Sequence, residues 1–171
     1  MLEDIARSSG SAANEGAFLP TPTEDSLPRR MSDFETLGEA LDHAATGSRG
    51  LNFHDARGAL SRPYPYSELR VDAIDMARRL IAFGVAPGDR IALVAETGPE
   101  FAALFYGAVY AGALPVPLPL PTSFGGRDSY VDQLVVQLAS ADPRLFLFPA
   151  ELATMAETAA RLNPMKRLPL S

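Results

Sequence analysis

The sequence predicts an α/β fold, a partial parallel sheet flanked by helices. Two observations carry this reading. The run from Phe83 to Pro121, FGVAPGDRIALVAETGPEFAALFYGAVYAGALPVPLPLP, reads as helix end, turn, buried strand, buried helix and second strand, followed by a proline-rich exit. Around it the apolar residues follow the order helix, strand, helix, strand, helix, strand, helix, which calls for crossovers between parallel strands. Hydrophobic residues fill 47% of the 171 positions, enough for one modest core beside a loose leader.

Residues 1–31 mix Ser, Gly, Ala, Pro and charge without periodicity, and LPTPTEDSLPRR gives a helix no foothold. They read as a flexible leader, with docking to another protein as its alternative role. Residues 32–66 read as an N-terminal helix and a short hairpin. Thr36 and Glu39 have capping-box spacing ahead of Leu37, Ala40, Leu41 and Ala44, and Gly47 ends the helix. Leu51 to Asp55 is a short strand, and Arg62 to Tyr66 is extended by Pro63 and Pro65.

Residues 67–171 read as a Rossmann-like α/β subdomain that is cut short. Ser67 is the expected cap of a helix whose apolar stripe is Leu69, Ala73, Ile74, Ala77, Leu80 and Ile81. Gly84 stops it, Pro87-Gly88-Asp89 turns the chain, and Arg90 to Ala95 has the continuous apolar character of a strand covered on both faces. Thr97 and Glu100 suggest a second capping box for the helix Pro99 to Ala111, with Gly107 at a close helix–sheet approach and Gly112 as the stop. Pro115 and Pro117 interrupt the ladder of the strand Ala113 to Leu118, which places it at an edge or makes it end early. A helix from Asp128 to Ala141 presents Val131, Leu134, Val135 and Leu138. Arg144 to Phe148 is a third strand, and Glu151 to Leu162 a last helix. Leu168 and Leu170 belong to no predicted element.

Composition narrows the function. With 15 basic and 21 acidic residues, a net charge of -6 and no basic cluster, the chain has no nucleic-acid footprint. It has no cysteine, and so no disulfide, thiol nucleophile or cysteine metal site. No apolar stretch approaches the ~20 residues of a membrane-spanning helix, and the acidic N-terminus lacks the pattern of a secretory signal. The expected location is cytoplasmic.

Candidate chemistry is sparse. His43 and His54 are the only histidines, and His54 and Asp55 point to opposite faces of a strand, which prevents a base-and-orienter pair. Gly84 to Asp89 precedes a strand, whereas a dinucleotide fingerprint follows one. The turn Ala95 to Pro99 could hold an anion at a helix N-terminus, but Glu100 already supplies a carboxylate there. Ser123 to Arg127, with Phe124, Gly125 and Gly126, is a flexible loop candidate. No catalytic, cofactor-binding or metal-ligating residue is assigned.

Three segments carry a resemblance. Tyr64-Pro65-Tyr66-Ser67-Glu68-Leu69 resembles the "(L)TYxEL" opening of adenylate-forming, AMP-binding enzymes. Gly84 to Leu93, GVAPGDRIAL, resembles their "GVxxGDRVAL", and Glu100 to Pro117 is similar to their "EFxxAFxGxxxAGAVxVPL". The three agree in order and spacing from about Phe34 to Leu162, and the proline-rich Val116 to Pro121 is most similar to the fatty acyl-AMP ligase branch. The resemblance implies the N-terminal subdomain of such an enzyme. In the full-length protein it implies ATP and Mg²⁺ as cofactors and conversion of a fatty acid to acyl-adenylate and pyrophosphate. The resemblance implies that the family's phosphate loop and its adenylation lysine should lie beyond Ser171, and Lys166 sits in no matching motif. The chain alone is therefore expected to be inactive and to need no cofactor. Tyr66, Leu69, Gly88, Asp89, Gly112 and Pro117 carry over as structural residues only. Expected partners are the rest of the polypeptide, an acyl carrier protein, and a second copy through an exposed sheet edge. An acyl-CoA ligase, another carboxylate-adenylating enzyme and a non-catalytic α/β interaction module are the alternatives.

Overall fold

A computed structural model describes residues 30–31, 33–121, 126–161 and 166–170, the last by backbone alone. Residues 1–29 of the leader (1–31) and the loop residues 122–125 lie outside the described residues.

Thr36 starts the first helix, α1 (Leu37–Ala44), where its hydroxyl accepts from the Glu39 amide at 3.1 Å. The Glu39 carboxylate returns to the Glu35 amide, one residue upstream of the usual capping-box partner. Strands β1 (Gly50–His54) and β2 (Leu60–Pro65) form an antiparallel hairpin. Its turn is closed by Asp55, whose Oδ1 accepts from the Arg57 and Ala59 amides at 2.9 Å each. Gly58, with φ 80°, takes the left-handed position that such a turn needs.

The strand β2 runs directly into α2 (Tyr66–Ala82). Pro65 is its N-cap and makes no side-chain bond, so Ser67 lies inside the first turn and does not cap. The reason is local: the Tyr66 amide is already held by the Arg49 carbonyl at 2.9 Å, which fixes the helix start two residues early. Leu69, Ala73, Ala77 and Leu80 are buried as expected, but Ile81 is 54% exposed because it sits about a quarter turn round the helix from that stripe.

Four parallel strands follow: β3 (Arg90–Val94), β4 (Leu114–Leu118), β5 (Leu145–Pro149) and β6 (Lys166–Leu170), in the order β4-β3-β5-β6. Leu168 and Leu170, unplaced by sequence, thus belong to a fourth strand whose five residues gave no periodic signal of their own. Helix α3 (Pro99–Tyr110) links β3 to β4, and α4 (Arg127–Ala141) links β4 to β5. A 3-10 turn (Ala150–Leu152) and α5 (Ala153–Ala160) link β5 to β6.

Strand alternation divides the core. Ile91, Leu93, Leu145 and Leu147 face Ala77 and Leu80 of α2 and Leu104 and Ala108 of α3. Ala92, Val94, Phe146 and Phe148 face Tyr130, Leu134 and Leu138 of α4 and Ala156, Ala159 and Ala160 of α5. Both faces of β3 and β5 are covered, which is why their sequences are continuously apolar.

Three further expectations change. The Thr97–Glu100 box does not form. Gly98 is the N-cap without a side-chain bond, and Pro99 starts the helix so late that Glu100 falls too early to reach back. Gly107 marks a helix–helix approach rather than a helix–sheet one, since a Cβ there would lie 2.7 Å from Met76 Cβ and Cγ and 3.1 Å from the Ala73 carbonyl oxygen of α2. Finally, β4 is at an edge as expected, but its prolines do not interrupt the ladder: five successive residues, Leu114 to Leu118, pair with Arg90 to Val94.

Candidate functional site

In a parallel sheet covered on both faces, ligands sit outside the carboxyl ends of the strands, where consecutive connections depart to opposite faces. Here that point lies between β3 and β5, because α3 covers one face while α4 and α5 cover the other. The turn Ala95 to Gly98, the turn Pro149 to Leu152 and the first turn of α4 surround it. Among the described residues of these turns and of the first turn of α3 the charged side chains are Glu96, Glu100, Asp128 and Glu151, all exposed, against one cation, Arg127.

A shallow groove of about 300 Å³ opens between α4 and α5, lined by Arg127, Asp128, Val131, Asp132, Thr154, Met155 and Thr158. Arg127 stands there with Asp128 and Asp132, a poor setting for a polyphosphate, whose charge the carboxylates repel. Among the described residues no group of three or more His, Cys, Asp or Glu could hold a metal ion. These residues therefore do not fit a nucleotide triphosphate or its magnesium ion.

Tyr130 supplies the local order at this end. Its hydroxyl donates to the Pro119 carbonyl at 2.9 Å, pinning the proline-rich exit from β4 onto α4. The ring is 4% exposed, and burial pushes its phenol pKa up, so the hydroxyl stays protonated and donating. Sequence periodicity identified Val131 and Val135 and missed Tyr130, whose role depends on a partner outside its own helix.

The remaining candidates are dispersed. His43 sits on α1 with its ring 5.4 Å from that of Phe34. His54 is exposed at the end of β1, and Asp55 is occupied in closing the hairpin turn. Gly126 and Arg127 open α4, Ser123 to Gly125 lie outside the described residues, and Lys166 is in β6.

The motif glycines gather at the opposite end of the sheet. The Gly88 amide donates to the Gly112 carbonyl at 2.8 Å, and the Leu114 amide donates to the Asp89 carbonyl at 2.8 Å. The Asp89 carboxylate accepts from the Ala86 amide at 2.9 Å. Gly88 and Gly112 have φ of 85° and 74°, where a side chain is strained. This knot holds the amino ends of β3 and β4 in register.

A second structural cluster joins three helices. Asp42 Oδ1 accepts from Arg70 Nε at 2.6 Å and from the Tyr110 hydroxyl at 2.7 Å. The Tyr110 hydroxyl, ahead of the Arg70 guanidinium, holds the Asp42 carboxyl below its ordinary value, while partial burial opposes both. A depressed carboxyl contributes stability that is present above its unfolded pKa and is lost as pH falls through the folded one. The melting temperature should therefore fall on acidification below about pH 4, and Asp42→Asn should remove part of that fall. Thermal melts of both proteins from neutral pH downward check this; parallel acid profiles would refute the contribution.

The architecture is that of a three-layered, doubly wound α/β domain with an appended helix and hairpin. The family described as AMP-binding enzyme matches residues 52–169, and the chain belongs to it. A provisionally named acyl-CoA synthetase of Caulobacter vibrioides is 44% identical over 145 residues, covering 84% of this chain and 25% of that protein. A structure from a study of fatty acyl-adenylate ligases from E. coli and L. pneumophila superposes with a TM-score of 0.77 at 39% identity. That match covers 83% of this chain and 26% of the other. The long-chain-fatty-acid–AMP ligase FadD32 of Mycolicibacterium smegmatis is 28% identical over 121 residues, covering 71% of this chain and 18% of that protein. The chain thus spans about a quarter of the length of such relatives or less. Among the described residues no helix is long and apolar enough to cross a membrane.

Proposed function

We propose that this chain is the N-terminal portion of a fatty acyl-AMP ligase. The whole protein would join a fatty acid carboxylate to the α-phosphorus of ATP, with Mg²⁺, and release pyrophosphate. The observation that carries the reading is the likeness to the fatty acyl-adenylate ligase structure, at 39% identity over 83% of this chain. The proline-rich exit, pinned by Tyr130, is consistent with it.

The role of these residues in that protein is scaffolding. The acidic surroundings of the strand ends give no reason to place nucleotide or metal chemistry on them. We therefore assign catalysis, ATP and Mg²⁺ to other residues of the whole protein, and the acyl group's acceptor to an acyl carrier protein. An acyl-CoA ligase is the second reading, favoured by the name of the Caulobacter relative.

A product assay on the uninterrupted gene product separates them, using labelled ATP, Mg²⁺ and a medium-to-long fatty acid, with and without CoA. Acyl-AMP that persists in the presence of CoA is the expected result. Conversion to acyl-CoA would establish the second reading, and no adenylate from any carboxylate would refute both. The 171-residue chain alone should give no adenylate above the blank.

A further inference from the structure

A single polar contact ties down the exit from β4. Pro117, Pro119 and Pro121 have no amide hydrogen, so from Pro117 to Pro121 the backbone offers two donors, those of Leu118 and Leu120. Among the described residues, Pro119 to Pro121 make one hydrogen bond, accepted by the Pro119 carbonyl from the Tyr130 hydroxyl at 2.9 Å. The side chains of Leu118 and Leu120 rest, half-buried, on the cluster that holds Tyr130, Leu134 and Phe148. The prolines stiffen the run, and Tyr130 fixes where it points. A segment so poor in donors is best held through its carbonyls, and a buried phenol on the neighbouring helix does that.

The contact stands at the carboxyl end of the sheet. β3 lies between β4 and β5; α3 leaves it toward one face, whereas α4 and α5 leave β4 and β5 toward the other. The opening at the carboxyl ends therefore extends on both sides of β3. On the β4 side its walls are the turn Ala95 to Gly98 and the exit Pro119 to Pro121. The two walls differ in chemistry. The turn brings Glu96 and Thr97, both exposed. The exit brings leucine and proline side chains alone, without charge or polar group. Such a wall suits a hydrocarbon and offers nothing to a phosphate.

We propose that Tyr130 is a positioning residue, which through the Pro119 carbonyl holds the exit in place as an apolar wall for the hydrocarbon chain of the fatty acid. The assignment rests on the fatty acyl-AMP ligase reading. Tyr130 itself is 4% exposed and acts only through the segment it ties down. Without the hydroxyl the exit keeps its leucine contacts and loses its fixed direction. The substrate then meets a wall that is in place for part of the time, and its apparent affinity falls by that fraction. Reaction at the carboxylate, remote from the chain, proceeds as before.

The test uses the uninterrupted gene product in three forms: wild type, Tyr130→Phe and Tyr110→Phe. The last is a matched control, because it also removes a phenol's bonds, those to Asp42 and Gly38, at the far end of α3. Pyrophosphate release gives kcat, and KM for ATP and for a medium-to-long fatty acid. In Tyr130→Phe the fatty-acid KM should rise about threefold to tenfold, the range that one lost hydrogen bond supports, with kcat and the ATP KM unchanged. Tyr110→Phe should lower the melting temperature and leave all three constants at their wild-type values. Hydrogen exchange read by mass spectrometry needs no turnover: the Leu120 amide should exchange faster in Tyr130→Phe alone. A fatty-acid KM that stays put, an ATP KM that rises with it, the same change in Tyr110→Phe, or an unaltered Leu120 exchange would each overturn the proposal. If Tyr130→Phe does not fold, Leu120→Ala loosens the same exit through its other anchor and must give the same split. A wild-type protein that forms no adenylate would refute the reading of function and this assignment together. Adenylate from the wild type with an unmoved fatty-acid KM in the variant would overturn this assignment alone.

Discussion

Gly107→Val is expected to give a protein that no longer melts cooperatively. At this position α3 lies against α2 with no room for a side chain. A Cβ would sit 2.7 Å from Met76 Cβ and Cγ, and 3.1 Å from the Ala73 carbonyl oxygen. Met76 could swing its thioether end aside, but its Cβ and the Ala73 carbonyl are fixed to the helix. Relief therefore requires the two helices to separate. Overpacking by a few methyl groups costs about 1–3 kcal/mol where side chains can adjust, and more where backbone must move. A domain of this size has about 5–15 kcal/mol in total. Circular dichroism melts of Gly107→Ala and Gly107→Val should show a graded loss, and an unchanged valine variant would mean that α2 and α3 do not meet as described.

Leu104→Ala should cost about 2–5 kcal/mol, the range for a buried leucine whose cavity only partly collapses. Leu104 is 2% exposed and lies in the core between α2, α3 and one face of β3 and β5. Its neighbours are held by parallel strands on one side and a helix contact on the other, so little collapse is available. For a chain of this length each kcal/mol lowers the melting temperature by about 2–4 °C. Chemical denaturation should show the same loss at an unchanged slope. Phe105, adjacent in sequence, is only half-buried against the same cluster, and a smaller loss is expected there. A melting point unmoved by Leu104→Ala would contradict the placement of α3.

The elements legible in the sequence were those with a repeated local signal. The stripe on α2, the continuous apolar runs of β3 and β5, and the glycine stops at Gly84 and Gly112 each restate one local rule several times. What failed depended on one residue or on a distant partner. Ser67 and the Thr97–Glu100 pair have capping chemistry, but Pro65 and Pro99 fixed the helix starts first. Gly107 announced a close approach without naming the other surface. Tyr110 bonds Asp42 across 68 residues, a pairing that no spacing rule reaches. Leu168 and Leu170 needed β5 beside them to become a strand. The functional reading divides in the same way. The motifs that reveal the family are concentrated at the amino ends of the strands, in the Gly88–Gly112 knot, where the requirement is register. The carboxyl ends, where ligands bind in such folds, carry no comparable signature in these residues.

The helix α1 and the hairpin are mounted differently from everything else. Leu41, Tyr64, Leu69, Ala73, Ala102 and Ala103 form their own cluster, with no strand of the main sheet in it, and the Asp42–Arg70–Tyr110 bonds, together with that from the Tyr110 hydroxyl to the Gly38 carbonyl, tie α1 to α2 and α3. Opening that unit exposes one face of α2 and α3 and leaves both faces of β3 and β5 covered. In native-state hydrogen exchange, amides of α1 and the hairpin should therefore turn over through a local opening of lower free energy than that of the strands. The molecule has an outer stave that can lift while its keel stays closed.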